Sequence, residues 1–258
     1  MDLRCNSNFS VVCDLLHKSE GKSLFEQLPK MEETVSLPVR QFYTLKIMLT
    51  EQERLQLCQE TLLQASSSVW RSERKKRISA TRAHRIVKAR SQQTALKYFF
   101  EDLSYNAHFE YGIKMEPLAK ESVKAILNVA VIDVGLVTRK NQPWLCASPD
   151  GIVQLETGEL AVLEIKCPSS CAGKSITVPY LEHGQLKKSH PYYTQIQIQL
   201  YCCELNSAIL FVFSEADQQV VKIDKDPFFL FNIIPKLEKF YFEQILPVLA
   251  GRAQSSRT

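Results

Sequence analysis

Asp150, Glu164 and Lys166 fall within one stretch, WLCASPDGIVQLETGELAVLEIKCP, residues 144–168. Side chains alternate across a strand, so a strand over 160–166 projects Glu164 and Lys166 from one face and Ile165 from the other. A hairpin with a second strand over 151–155, turned at ETGE (156–159), brings Asp150 beside the Glu164 end. Two carboxylates at such range repel and raise a pKa unless a cation neutralises them. A hard divalent ion such as magnesium does this with few protein ligands, and the carbonyl of Ile165 is a further oxygen donor. Lys166 is then placed to orient or deprotonate an attacking water. The alternative is a solvated hairpin with a cross-strand ion pair. The flanks favour a built site: Leu163 and Ile165 are apolar, the strand is otherwise LAVL, and Pro149-Asp150-Gly151 is a tight turn.

The elements that must hold these residues can be read in outline. Residues 1–65 form a lead segment without clear period until Thr50 and Glu53, whose capping-box pattern opens a helix over 51–64. The main domain spans 66–250 and a polar tail 251–258. Helical stretches are expected over 80–103 and 108–128, then strands at 130–138, 143–148, 151–155 and 160–166. Three prolines and two glycines in 168–191 predict a long exposed loop. YYTQIQIQLYCCEL (192–205) alternates like a strand but has the length and position of a crossover helix. Strands at 208–214 and 219–224 and a helix from Asp226-Pro227 to about 246 complete the chain. The order predicts an α/β (α+β) fold with a central mixed sheet flanked by helices.

Composition narrows the class without choosing a function. The chain has 258 residues, 45% hydrophobic and 23% charged, with a net charge of +4, the profile of an ordinary globular protein. No apolar run approaches a membrane span, and MDLRCNSNFSVVCDLL lacks the pattern of a signal peptide, so an intracellular location is expected. Eight cysteines without paired CxxC units read as buried thiols rather than a disulfide scaffold or zinc site. His84, His108, His183 and His190 show no metal-ligand spacing.

Three further stretches bear on the site. Residues 71–90 carry nine Lys/Arg against one acid, Glu73, a phosphate-seeking surface or a plain solvated face. Glu116 shares a helical stripe with Gly112, Ala119 and Val123, where a carboxylate must be coordinated or paired, for instance with Lys120 at i+4; Pro117 interrupts the helix there. If 192–205 is helical, Tyr193, Gln197 and Tyr201 share a face, and Gln197 can reach the site, with Gln195 as the other candidate. Trp70 reads as core packing.

SPDG followed by LEIKCP resembles the core of the PD-(D/E)xK nucleases, and more narrowly the YqaJ family of viral recombinase exonucleases. WRSERKKRISATRAHRI (70–86), YGIKMEPLA (111–119) and YYTQIQIQLY (192–201) resemble that family's other motifs in the same order. The resemblance implies a PD-(D/E)xK restriction-endonuclease-like core and an exonuclease acting from 5′ ends of linear double-stranded DNA. It implies magnesium as cofactor, two ions with manganese able to substitute, held by Glu116, Asp150, Glu164 and the Ile165 carbonyl. Glu116, Asp150, Glu164, Lys166 and Gln197 would be the catalytic set, with Gln197 binding a scissile phosphate or metal-bound water and Gln195 the runner-up for that phosphate contact. It places Arg74, Thr81 and Ser148 at a terminal 5′-phosphate, a role that suits forked guanidinium donors and hydroxyls. The partners implied are DNA ends and a single-strand annealing protein, with a homotrimer as the assembly. A non-catalytic DNA-binding homologue and an endonuclease of the same superfamily are the alternatives.

Overall fold

A computed structural model describes residues 31–101 and 107–255. Cys5, Cys13 and the last three residues of the polar tail lie outside the described residues, as does the side chain of His108. Helix α1 (Leu37–Lys46) precedes α2 (Glu51–Glu60), which opens on the expected capping box: Glu53 N–H donates to Thr50 Oγ1 at 3.2 Å and Thr50 N–H to Glu53 at 2.7 Å. Tyr43 and Ile47 sink into the main core, so the second half of the lead segment packs with the domain that follows. Next come α3 (Ser68–Arg74), β1 (Ile78–Ser79), α4 (Ala80–Val87) and α5 (Gln92–Phe100). The single helix expected over 80–103 is therefore two, because Ser91 stops the chain and caps the second through Thr94 N–H at 3.1 Å.

Helix α6 (Ala107–Leu127) fills the stretch expected over 108–128 and continues through Pro117, which does not end it. It leads to β2 (Val131–Ile132), β3 (Val137–Thr138), β4 (Leu145–Ala147), β5 (Gly151–Gln154) and β6 (Leu160–Lys166). The strand expected over 130–138 is two short ones, with Gly135 between them. Gly135 sits so close to α2 that a Cβ would meet the Cys58 carbonyl oxygen at 2.0 Å. Beyond β6 the expected loop holds a small hairpin, β7 (Leu181–Glu182) and β8 (Gln185–Leu186), and buries Cys171, Ile176, Tyr180 and Leu186. It is thus largely exposed, as expected, but pinned to the core at those four side chains. Residues 192–205 resolve to the crossover helix α7 (Pro191–Cys203), started by Pro191 after the His190 cap. The chain then runs through β9 (Ser207–Phe213), β10 (Gln218–Asp224), α8 (Pro227–Phe240), a π-helical turn at Tyr241–Ile245, and α9 (Leu246–Ser255).

The central sheet has the order β10-β9-β6-β5-β2, with β6 and β9 parallel and the other pairs antiparallel. A second sheet, β1-β4-β3, lies alongside. Apolar residues cover both faces of the central sheet. Leu163 and Ile165 pack with Met115, Ala119 and Val123 of α6. Val162, Leu210 and Val212 pack with α4, α7 and α8. The alternation along β6 therefore turns Glu164 and Lys166 toward the α7 side and Ile165 toward α6. Among the described residues no helix is long and apolar enough to cross a membrane, and Cys58, Cys146, Cys167, Cys171, Cys202 and Cys203 form no disulfide.

Candidate active site

Asp150 ends the turn before β5, and the hairpin register holds it against β6. Its N–H donates to the Leu163 carbonyl at 3.1 Å, and Ile165 N–H donates to its Oδ2 at 2.6 Å. Gln64 supports this turn from outside the motif, donating from Nε2 to the Pro149 carbonyl at 2.7 Å. Glu164 is 1% exposed. A buried carboxylate is costly unless donors surround it. Among the described residues it has three: Lys166 Nζ and Gln195 Nε2 (2.5 Å) on Oε1, and Gln199 Nε2 (2.5 Å) on Oε2. The ammonium of Lys166 also lies 4.6 Å from the centre of the Tyr192 ring, a cation–π contact. Burial, and then the charge of Glu164, pushes the Asp150 carboxyl well above its ordinary range. For Lys166, burial acts downward, but Glu164 and Asp150 outweigh it and raise its pKa, so the side chain as held is an ammonium.

The glutamine assignment needs correction. Gln197 does not face the site: its Nε2 donates to the Asp224 carbonyl at 2.9 Å and its Oε1 accepts from Asp226 N–H at 2.8 Å. Residues two apart on a helix point roughly 160° away from each other, and residues four apart nearly coincide. The face of Tyr193, Gln197 and Tyr201 exists, but it looks toward the start of α8 and toward Gln142. Gln195 and Gln199 occupy the opposite side and reach Glu164. Gln199 was the residue missed; its i+4 spacing from Gln195 was the available signal.

Arg74, Thr81 and Ser148 converge in the same cleft, of about 350 Å³, as Glu116, Asp150, Glu164 and Lys166. Arg74 Nη2 donates to Thr81 Oγ1 at 2.9 Å, and its guanidinium stacks 4.1 Å from the centre of Trp70. Trp70 in turn donates from Nε1 to Ser148 Oγ at 2.8 Å while packing beside Leu57, Leu136 and Cys146. Burial draws the Arg74 pKa down to about 10, which leaves it cationic at neutral pH. The rest of the basic run is divided among other tasks. Arg77 is fully buried on Glu73 and the carbonyls of Pro143 and Ile47, and Arg85 pairs with Glu101.

Glu116 lies across the cleft on α6 and pairs with Lys120 at 3.3 Å, which also reaches Asp133 at 3.2 Å. It thus lines the cleft and makes the i+4 pair. Among the described residues no three His, Cys, Asp or Glu side chains converge on one point. The oxygen-only set of Asp150, Glu164 and the Ile165 carbonyl, with Glu116 opposite, suits a hard divalent cation that keeps most of its own water. The like-charge conflict at Asp150 is what such a cation relieves.

A mixed sheet with Asp before one hairpin strand and Glu-x-Lys on the next defines the PD-(D/E)xK nuclease fold. The chain belongs to the family of the YqaJ-like viral recombinase domain, whose model matches residues 69–206, over half its length. Among solved structures it is similar to an alkaline exonuclease from Laribacter hongkongensis at 20% identity and TM-score 0.55, over 71% of this chain and 96% of that one. It is also similar to a SOX–DNA complex at 12% identity and TM-score 0.51, over 93% and 92%. The shutoff and exonuclease protein of Kaposi's sarcoma associated herpesvirus gives 12% and 0.50, over 92% and 91%. No curated protein matches the chain.

Proposed function

We propose that the protein is a magnesium-dependent deoxyribonuclease that digests linear double-stranded DNA from its 5′ ends. The observation that carries this is the shared cleft: the acid–acid–lysine set and the Arg74–Thr81–Ser148 cluster line one cavity. Family membership supports the nuclease class, and structures of similar fold include exonucleases. Asp150, Glu164 and the Ile165 carbonyl would hold magnesium or manganese, with Glu116 completing the shell for two ions. The ions would supply Lewis acidity at the scissile phosphate and lower the pKa of water.

The chain's own residues do the rest. Lys166, held by Glu164 and Tyr192, orients the attacking water and offsets charge developing on the phosphate. Gln195 holds Glu164 at the cleft wall, within reach of the scissile phosphate. Arg74, Thr81 and Ser148 anchor the terminal 5′-phosphate, so that end binding becomes positioning of the next phosphodiester.

The test uses a 5′-phosphorylated linear duplex and a closed circle of the same sequence, with magnesium or EDTA. Magnesium-dependent loss of the linear substrate alone is expected, abolished in Asp150→Asn, which keeps an oxygen acceptor for Ile165 N–H. Nicking of the circle would mark an endonuclease. Binding without cleavage would mark a non-catalytic homologue. Undiminished digestion in EDTA would sink the metal assignment.

A further inference from the structure

We propose that Gln199 is a positioning residue for Glu164, holding the carboxylate ready for a divalent cation by means of a neutral donor. The inference rests on the reading that the metal binds at Asp150 and Glu164. The three donors on Glu164 are unequally shared. Lys166 and Gln195 both serve Oε1, whereas Gln199 is the one donor on Oε2 among the described residues. With Gln199 removed, half of a buried carboxylate has no protein partner, and its direction is no longer set.

Gln199 is fully buried, and its own carbonyl Oε1 has no partner among the described residues. Orphaned buried acceptors are uncommon and call for a cause. Rotating the amide would turn that oxygen onto Glu164 Oε2, oxygen against oxygen, so the carboxylate dictates the orientation. A residue kept for packing alone would be better as Leu or Met, which fill the space and leave nothing unpaired. The amide is therefore explained by Glu164 and by nothing else it touches.

Its neutrality matters as much as its reach. A lysine or arginine at this position would hold Glu164 at least as strongly but would oppose a divalent cation with its own charge. An amide solvates the carboxylate and leaves its charge available. Gln195 does the same one helical turn earlier, so α7 brackets the carboxylate with two uncharged donors.

The experiment measures Mn²⁺ binding to the DNA-free protein, by the electron paramagnetic resonance signal of free Mn²⁺, for the parent, Gln199→Met and Gln199→Asn. Met is near-isosteric without a donor; Asn keeps the amide but withdraws it by one methylene. Residues that orient metal ligands typically change affinity about tenfold or more when removed. Mn²⁺ binding weakened tenfold or more is expected in both variants, with affinity for a 5′-phosphorylated duplex in EDTA kept within twofold. Mn²⁺ binding within threefold of the parent, in either variant that folds, overturns the proposal. So does a parallel loss of duplex binding, which would make Gln199 merely structural. A parent that binds no Mn²⁺ fails the metal reading itself and is thereby distinguishable.

Discussion

Replacing Arg74 by Ala isolates end recognition from cleavage. The guanidinium has one bond to Thr81 at 2.9 Å and a longer one to Ser79 at 3.4 Å, and it sits over the Trp70 ring at 4.1 Å. Among the described residues its partners are thus two hydroxyls and a ring, and none of their carboxylates pairs with it. The stacking contributes about 0.5–1 kcal/mol, and truncation should lower Tm by only a few degrees in a protein of this size. Charge-assisted bonds to a phosphate are each worth about 1.5–3 kcal/mol, or roughly ten- to 150-fold in rate. Arg74→Ala should therefore slow digestion of 5′-phosphorylated duplex by that factor and of 5′-hydroxyl duplex far less. Arg74→Lys should fall between, because it keeps a charge but loses the fork and the stacking. The assay compares initial rates on the two ends at one fixed salt concentration, since general phosphate binding varies steeply with salt. Equal slowing on both ends, or a wild-type enzyme indifferent to the 5′-phosphate, would refute the pocket and leave Arg74 as general phosphate-binding surface.

Two more expectations follow from other parts of the molecule. Lys166→Ala should cost about 3 kcal/mol in barrier, roughly a hundredfold in rate, with duplex affinity little changed; a variant within threefold of wild type would make the lysine structural. Asp226 caps α8 through Phe229 N–H at 3.0 Å and binds Lys188 and Tyr193. The Lys188 bond and then the Phe229 N–H lower its pKa to about 2. A depressed carboxylate stabilises the fold above its unfolded pKa of about 3.9, and that contribution is lost as pH falls through about 2. Asp226→Asn keeps the capping oxygen and drops the charge. It should be less stable than wild type at pH 6 and equal to it below pH 2 in urea melts; a pH-independent difference would contradict the linkage.

The hairpin was legible because its information is local. Sixteen residues, Gly151 to Lys166, contain both strands, the turn and the alternation that places Glu164 and Lys166 together, and the register repeats that pattern. The capping box at Thr50 was legible for the same reason. Helix α7 was not, because every residue from Tyr193 to Cys203 is buried, so no polar stripe distinguishes a face. The QIQIQ alternation reports three buried amides, Gln195 and Gln199 on Glu164 and Gln197 on the turn between β10 and α8, rather than a strand. Gln64 was invisible because it acts on the backbone carbonyl of Pro149, 85 residues away, where side-chain chemistry leaves no trace. The division of the basic run was hidden too. Arg77 became a buried strut because Glu73 and two carbonyls await it, and nothing in a charge count separates it from Arg74.

The two sides of α7 are mechanically linked. On one side Gln195 and Gln199 hold Glu164. On the other, Gln197 clamps the turn between β10 and α8 by accepting from Asp226 N–H and donating to the Asp224 carbonyl. Tyr193, one turn earlier, donates to the Asp226 side chain at 2.8 Å. A rotation of the helix large enough to withdraw either glutamine from Glu164 would break bonds on the far side as well. Each of those bonds is buried or partly buried, where leaving a polar group unmade costs about 1–3 kcal/mol. Gln197 therefore serves the carboxylate that it does not touch, by keeping the helix that carries Gln195 and Gln199 in register. Strand β6 supplies the acid and the lysine, and the buried helix keeps their orientation.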